Sequence, residues 1–233
     1  MKILAIIPAR GGSKGVPNKN SKLLGNKPLI SYTIEQAIVS NSFSKIIVST
    51  DDIAIAKIAI DFGAEVPFIR PAELATDTAS SIAVVQHAID FLEAENEFFD
   101  AICLLQPTSP FRERGFINKA IETFSSINSD ALVSVLPIPH EYNPHWIFEA
   151  DKNGMLQIAT GEKEIIKRRQ ELPAAFFRDG AIYLTKVAVI KQGTFYGEKL
   201  SYLESNPDFY VNIDTMEDWI KAEQKLAEIS KLG

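Results

Sequence analysis

The apolar run Ile6-Ile7-Pro8-Ala9 opens directly onto Arg10-Gly11-Gly12-Ser13-Lys14-Gly15, and the same loop continues to Lys19-Asn20. Glycines let backbone N–H groups approach an anion closely, while Arg10, Lys14 and Lys19 can neutralise charge spreading over a phosphoryl group in a transition state. Between Met1 and Ile34 the chain carries Lys2, Arg10, Lys14, Lys19, Lys22 and Lys27 and no Asp or Glu, although its net charge is −6. The asymmetry is local and asks for a local anion. The spacing is neither Gly-x4-Gly-Lys-Ser/Thr nor Gly-x-Gly-x-x-Gly. A phosphate cradle built on Gly11, Gly12, Ser13 and Lys14 stands beside the alternative of a solvated basic loop.

A second group of oxygen donors lies near the C-terminus. In Asn212-Ile213-Asp214 the outer residues alternate on an expected strand, so both project to one face and can offer oxygen to a hard cation such as Mg²⁺. The plainer reading is an Asp at the start of the helix that Thr215 and Asp218 open with a capping-box spacing. Asp51-Asp52 reads either as a metal pair or as the N-cap and first-turn acid of a helix beginning near Ile53. Arg70 precedes the polar segment PAELATDTASS, which offers Ser80 or Ser81 as the next helix cap. His87, His140 and His145 have no metal-ligand spacing, and the chain contains no Gly-x-Ser-x-Gly elbow or zinc pattern.

These residues need elements to hold them. Apolar runs at 2–8, 45–50, 65–69, 100–106, 130–136, 181–185 and 210–213 read as strands, several of them covered on both faces. Apolar stripes at 3.6-residue spacing mark helices around Ile30–Ile38, Ile82–Leu92, Phe116–Phe124 and Met216–Leu226. The alternation describes an α/β fold with three layers and parallel early strands. Ligands in such sheets sit beyond the carboxyl ends of the strands, which gathers Arg10, the Ser49–Asp52 turn and the Gln106–Ser109 turn on one edge. Prolines 137, 139 and 144 and the charged run EKEIIKRRQE mark about 137–178 as a segment inserted into a single domain spanning 1–233.

With 46% hydrophobic and 23% charged residues the composition is globular, and an acidic chain with one basic loop is not expected to bind nucleic acid. Cys103, the only cysteine, lies in the apolar run AICLL and reads as a buried thiol in a reducing compartment. No run approaches the roughly 18 apolar residues of a membrane span. The short N-terminal run reads as a core strand rather than a leader, so the expected location is cytoplasmic.

Taken in order, IIPARGGSKGVPNKN, IIVSTDD, RPAELATDTASS, LLQPTSPFR, RRQELP, DGAIYLT and NIDT resemble the motif set of the acylneuraminate cytidylyltransferases, which make CMP-sialic acid. The resemblance covers nearly the whole chain. It implies a three-layer α/β/α nucleotidyltransferase (Rossmann-like) fold with a mostly parallel mixed sheet, and a homodimer formed through the insertion. It also implies Mg²⁺-dependent transfer of CMP from CTP to a keto-sugar acid.

By motif position the resemblance assigns Arg10, Lys19 and Asn20 to the triphosphate, Arg70 and Ser81 to the nucleotide, and Gln106 to the sugar acid. Arg169 and Tyr183 fall at sugar-side positions, Phe195-Tyr196 resembles an aromatic pair that receives the acyl group, and Asp214 matches a metal-binding Asp. The departures cluster on the sugar side. Asn212-Ile213-Asp214 stands where sialic acid enzymes have Asp-Ile-Asp, Phe177 stands at an expected arginine with Arg178 beside it, and His145-Trp146 replaces an expected lysine. They point to a related nonulosonic acid or another sugar. Two competing readings are a sugar-1-phosphate nucleotidylyltransferase using another NTP, and a non-catalytic nucleotide- or sugar-binding homologue.

Overall fold

The computed structural model describes residues 1–230. Six strands form the central sheet, in the order β10-β6-β9-β5-β1-β4. They are β1 (Ile3–Pro8), β4 (Lys45–Ser49), β5 (Ala101–Leu104), β6 (Ala131–Pro137), β9 (Phe176–Lys186) and β10 (Leu200–Glu204). β1 pairs in parallel with β4 and β5, β10 with β6, and β9 alone runs antiparallel between β5 and β6. The sheet is therefore mixed and mostly parallel, as expected.

Alternate residues of β1 enter opposite cores, which is the period-two signature of a strand covered on both faces. Ile3, Ala5 and Ile7 pack with α1 (Leu29–Ser40), α2 (Ile53–Asp61) and α4 (Phe116–Ile127), whereas Leu4 and Ile6 pack with α3 (Ser81–Ala94) and α5 (Val187–Ile190). Three layers result. A third cluster joins Val16, Leu24, Tyr32 and Phe111 to Val211, Ile213 and Trp219, the last from α6 (Met216–Ile229). Two small hairpins complete the chain, β2 (Leu23–Leu24) with β3 (Lys27–Pro28) and β7 (Phe148–Ala150) with β8 (Leu156–Ile158). Cys103 is buried among the first cluster, and burial pushes its thiol up to about 12. No helix among the described residues is long and apolar enough to cross a membrane.

Two expected strands are absent. Residues 65–69 make only isolated bridges, Glu65 to Ile47 of β4 and Ile69 to Thr50 just past its end, because Pro67 has no N–H to give to a ladder. Residues 210–213 are irregular, tied to the turn after β5 by a bond from Ile213 N to Thr108 O at 2.9 Å and held by burial of Val211 and Ile213. Those apolar residues serve the α6 cluster rather than a sheet. The chain leaves the sheet at Pro137 and returns at Phe176, and these two residues are partners in the β6–β9 ladder.

The capping expectations resolve clearly. Ser80 is the N-cap of α3, accepting from Ala83 N at 3.3 Å, which leaves Ser81 as the first helical residue. Thr215 and Asp218 form the full capping box of α6. Trp219 is 2% exposed in the cluster that fastens α6 to the first thirty residues. Trp219→Ala removes that anchor and is expected to cost about 3–5 kcal/mol, read as a lower chemical denaturation midpoint with unfolding still cooperative.

Candidate active site

An open cleft of about 350 Å³ lies beyond the carboxyl ends of β1 and β5. Arg10, Ser13, Lys14, Lys19, Asn20, Arg70, Ser81, Gln106 and Asp214, nine of the residues singled out by sequence, line it together. Its wall carries four cations, Arg10, Lys14, Lys19 and Arg70, against two carboxylates, Asp77 and Asp214. The local excess of positive charge in a chain of net charge −6 suits a small polyanion.

The loop after β1 is held by apolar and backbone contacts before any ligand is considered. Val16 is fully buried in the α6 cluster, and Asn18 takes a left-handed conformation at φ 53° that turns the chain. Asn20, 5% exposed, donates its amide to Arg10 O at 2.9 Å and closes the loop on itself. Gly15 passes the other terminus so closely that a Cβ there would sit 1.9 Å from Asp214 O. Gly11 is required for a different reason: an added Cβ would meet Asp52 Oδ2 at 2.7 Å.

Here the expected cradle is revised. The Gly11 N–H donates to Asp51 Oδ1 at 3.1 Å, and neither Gly11 nor Gly12 lines the cleft. Asp52 caps α2, accepting from Ala54 N at 2.7 Å and Ile55 N at 3.2 Å. Asp51 and Asp52 are thus occupied in folding the loop and starting a helix: Asp52 is the N-cap that the capping reading offered, whereas Asp51 lies outside the helix and ties down the loop after β1. Gly12 faces open space.

Lys19 reaches from the loop to the segment before α6. Its ammonium donates to Ile213 O at 2.6 Å and lies 3.4 Å from Asp214 Oδ1. Burial lowers its pKa, opposed by the Asp214 carboxylate. Asn212, although not on a strand, still shares a face with Asp214 and donates its amide to Asp214 Oδ2 at 2.7 Å. Arg70 is 5% exposed and ties the end of β4 to the next turn, with Nε on Ser49 Oγ at 3.0 Å and a longer bond to Leu74 O. Burial lowers its pKa to about 10.

The turn after β5 is fixed from below by a residue that sequence reading passed over. Arg112 is 6% exposed; it donates to Ala181 O at 3.0 Å, Gln36 Oε1 at 3.0 Å and Gln106 O at 3.3 Å. The signal was the arginine that closes the run LLQPTSPFR. Burial lowers its pKa to about 10. From the side, β9 bulges opposite Val133–Val135, where Ser134 and Ser205 donate to the buried Asp179 carboxylate. Gly180, at φ 80°, lies there against Gln106 and Ser109: a Cβ would come within 3.0 Å of Gln106 Oε1. Bulges are frequent beside sites, and this one packs Gly180 against Gln106.

The remaining candidates do not enter the cleft. Tyr183 and Phe195 pack 5.9 Å apart against the α3 face, and Tyr196 accepts a bond from Arg178. Burial raises the Tyr183 pKa. Arg169 is exposed in a short turn at Arg169–Glu171, away from the cleft lining. Asp77, which sequence reading did not single out, lines the cleft and contacts Arg10 and Lys14.

A family profile described as Cytidylyltransferase matches residues 4–229. The chain is 39% identical over 233 residues to a CMP-N,N'-diacetyllegionaminic acid synthase of Legionella pneumophila, covering 99% of this chain and 98% of that protein. It is 36% identical over 219 residues to a pseudaminic acid cytidylyltransferase of Campylobacter jejuni, covering 94% and 93%. In fold it is similar to a CMP:2-keto-3-deoxy-manno-octonic acid synthetase solved in complex with CTP, with a TM-score of 0.71 at 16% identity, covering 98% of this chain and 99% of that one.

Of the three loop glycines, Gly15 and Gly12 differ most in their surroundings. Gly15→Ala is expected to lower the thermal midpoint and weaken CTP binding, because either the loop or Asp214 must move. Gly12→Ala is expected to keep the wild-type midpoint, so thermal scans of both variants separate the close crossing from mere glycine content. A nucleotidyltransferase fold, a basic cleft at the strand ends and a profile match running nearly end to end converge: the chain belongs to the cytidylyltransferase family.

Proposed function

We propose that the protein transfers CMP from CTP to a nonulosonic, sialic-acid-like 2-keto sugar acid and releases pyrophosphate. The observation that carries the reading is the convergence of Arg10, Lys19, Arg70 and Asp214 on one cleft from three distant parts of the chain. Relatives named for legionaminic and pseudaminic acids, matched over nearly their whole length, support an acceptor of that class.

In this mechanism the anomeric hydroxyl attacks the α-phosphorus in line, and the bond to the bridging oxygen of the β-phosphate breaks. Positioning and charge stabilisation supply most of the rate. Arg10, Lys14 and Lys19 take up charge on the phosphates, with Lys19 aimed by Ile213 O and Asp214. Arg70 and Ser81 border the nucleotide, and Gln106, held by Arg112 and Gly180, borders the acceptor.

Mg²⁺ fits the donors present. The Asp214 carboxylate is exposed in the cleft, and Asn212 uses its amide N–H on Asp214, leaving its carbonyl oxygen for a cation. Among the described residues no group of three or more His, Cys, Asp or Glu could hold a metal. Mg²⁺ takes one or two carboxylates and completes its shell with substrate phosphates and water, a demand that Asp214 and the Asn212 carbonyl would meet on the protein side. Bound by Asp214 and Asn212, it would neutralise developing charge on the phosphates.

The same reading includes a homodimer. Residues 138–175 expose Ile147, Phe148, Met155, Leu156 and Ile165, an apolar set that a second copy would cover. Arg169 on this segment would then serve the partner's acceptor site, together with Tyr183 and the Phe195-Tyr196 pair.

The test is pyrophosphate release with Mg²⁺, each of CTP, UTP, GTP and ATP, and a panel of nonulosonic acids. The expected result is turnover with CTP and a nucleoside monophosphate sugar as product; a nucleoside diphosphate sugar, or silence in every pairing, overturns it. Lys19→Ala is expected to lower kcat about 10²–10³-fold at saturating substrates.

A further inference from the structure

Asp77 has no part in the roles above. It lies in the polar segment between Arg70 and α3, and its carboxylate reaches across to the loop after β1. Oδ1 accepts from an Arg10 guanidinium nitrogen at 2.6 Å, and Oδ2 pairs with the Lys14 ammonium. The other two cations of the cleft are already engaged within the fold, Lys19 by Ile213 O and Asp214, and Arg70 by Ser49 and Leu74. Arg10 and Lys14 are therefore the pair with the most freedom to meet phosphate oxygens, and Asp77 holds both.

The bridge is exposed: the Asp77 side chain is 38% accessible and that of Lys14 is 83%. Exposed ion pairs are weak and exchange readily, whereas a polyphosphate brings several charge-assisted bonds at once. The Lys14 and Arg10 contacts hold the Asp77 carboxyl below the usual carboxylate range, so it is ionised at neutral pH. A two-oxygen anion on a short side chain is a close stand-in for one face of a phosphate.

We propose that Asp77 is an internal competitor for the phosphate site: it holds Arg10 and Lys14 until a polyphosphate displaces it, and takes them back as pyrophosphate leaves. The exchange weakens polyphosphate binding and speeds product release, and it rests on the nucleotide reading of the cleft.

Titration calorimetry with inorganic pyrophosphate, and separately with CTP, tests it on the whole protein without added divalent cation. Asp77→Asn is expected to bind both about 3–10-fold more tightly than wild type, the scale set by one or two exposed ion pairs. Pyrophosphate should also become a stronger product inhibitor. Asp77→Ser, which lacks the charge in another shape, must give the same sign, and in a Lys14→Met background the gain from Asp77→Asn must shrink. Unchanged or weaker binding in both Asp77 variants overturns the proposal while the nucleotide reading stands. Wild-type protein that binds neither ligand overturns both.

Discussion

The site depends on a crossing of the two chain ends. The loop after β1 and the segment before α6 approach so closely that only a glycine fits at residue 15, above the Asp214 carbonyl. That contact sets Lys19 against Asp214 across 195 residues of sequence. Burial of Val16 beside Trp219 and Ile213 supplies the apolar anchor, because an ion pair to a carboxylate as exposed as that of Asp214 is too weak to dock the loop alone. A cleft assembled this way forms only once α6 is docked, so its chemistry is coupled to a helix remote in sequence from the loop that carries the cations.

Much of the fold was legible because its buried strands and amphipathic helices follow their periods strictly. The ladders at 3–8, 45–49, 101–104 and 131–137 fall where apolar runs place them. Residues 210–213 misled because burial in the α6 cluster, rather than strand pairing, explains Val211 and Ile213, and periodicity cannot tell the two apart; residues 65–69 do run beside β4, but Pro67 interrupts the ladder. In the site, residues on the loop after β1 and at the strand ends were readable from charge and position. Gly11 was not, since its role depends on Asp51 and Asp52, forty residues away. Arg112 and Asp179 act from behind the cleft through backbone carbonyls and hydroxyls, contacts that leave no fixed spacing in sequence.

The electrostatic arrangement differs from that of a general anion binder. Arg70 and Arg112 carry buried guanidinium groups satisfied chiefly by carbonyl and hydroxyl oxygens, which desolvates them without neutralising them. Such groups stay fixed when a ligand arrives and project a field that salt screens little. Lys14 and Arg10, nearer the solvent, adapt to it. The cleft thus combines a rigid inner charge with a yielding outer one, matching a ligand whose reacting phosphorus must be placed accurately while its departing end must be let go.

The antiparallel course of β9 has a consequence for how such a chain can change. Because Pro137 and Phe176 are ladder partners, the excursion 138–175 leaves and rejoins the sheet at one point on the ligand edge. Its closure is enforced by the ladder, and lengthening such a loop costs only about 0.6 kcal/mol for each doubling. Insertions and substitutions there can reshape the surface beyond the ligand edge without disturbing β1, β5 or the loop that carries Arg10. The architecture leaves one surface excursion free to change length while the loop and strand ends that line the cleft stay in place.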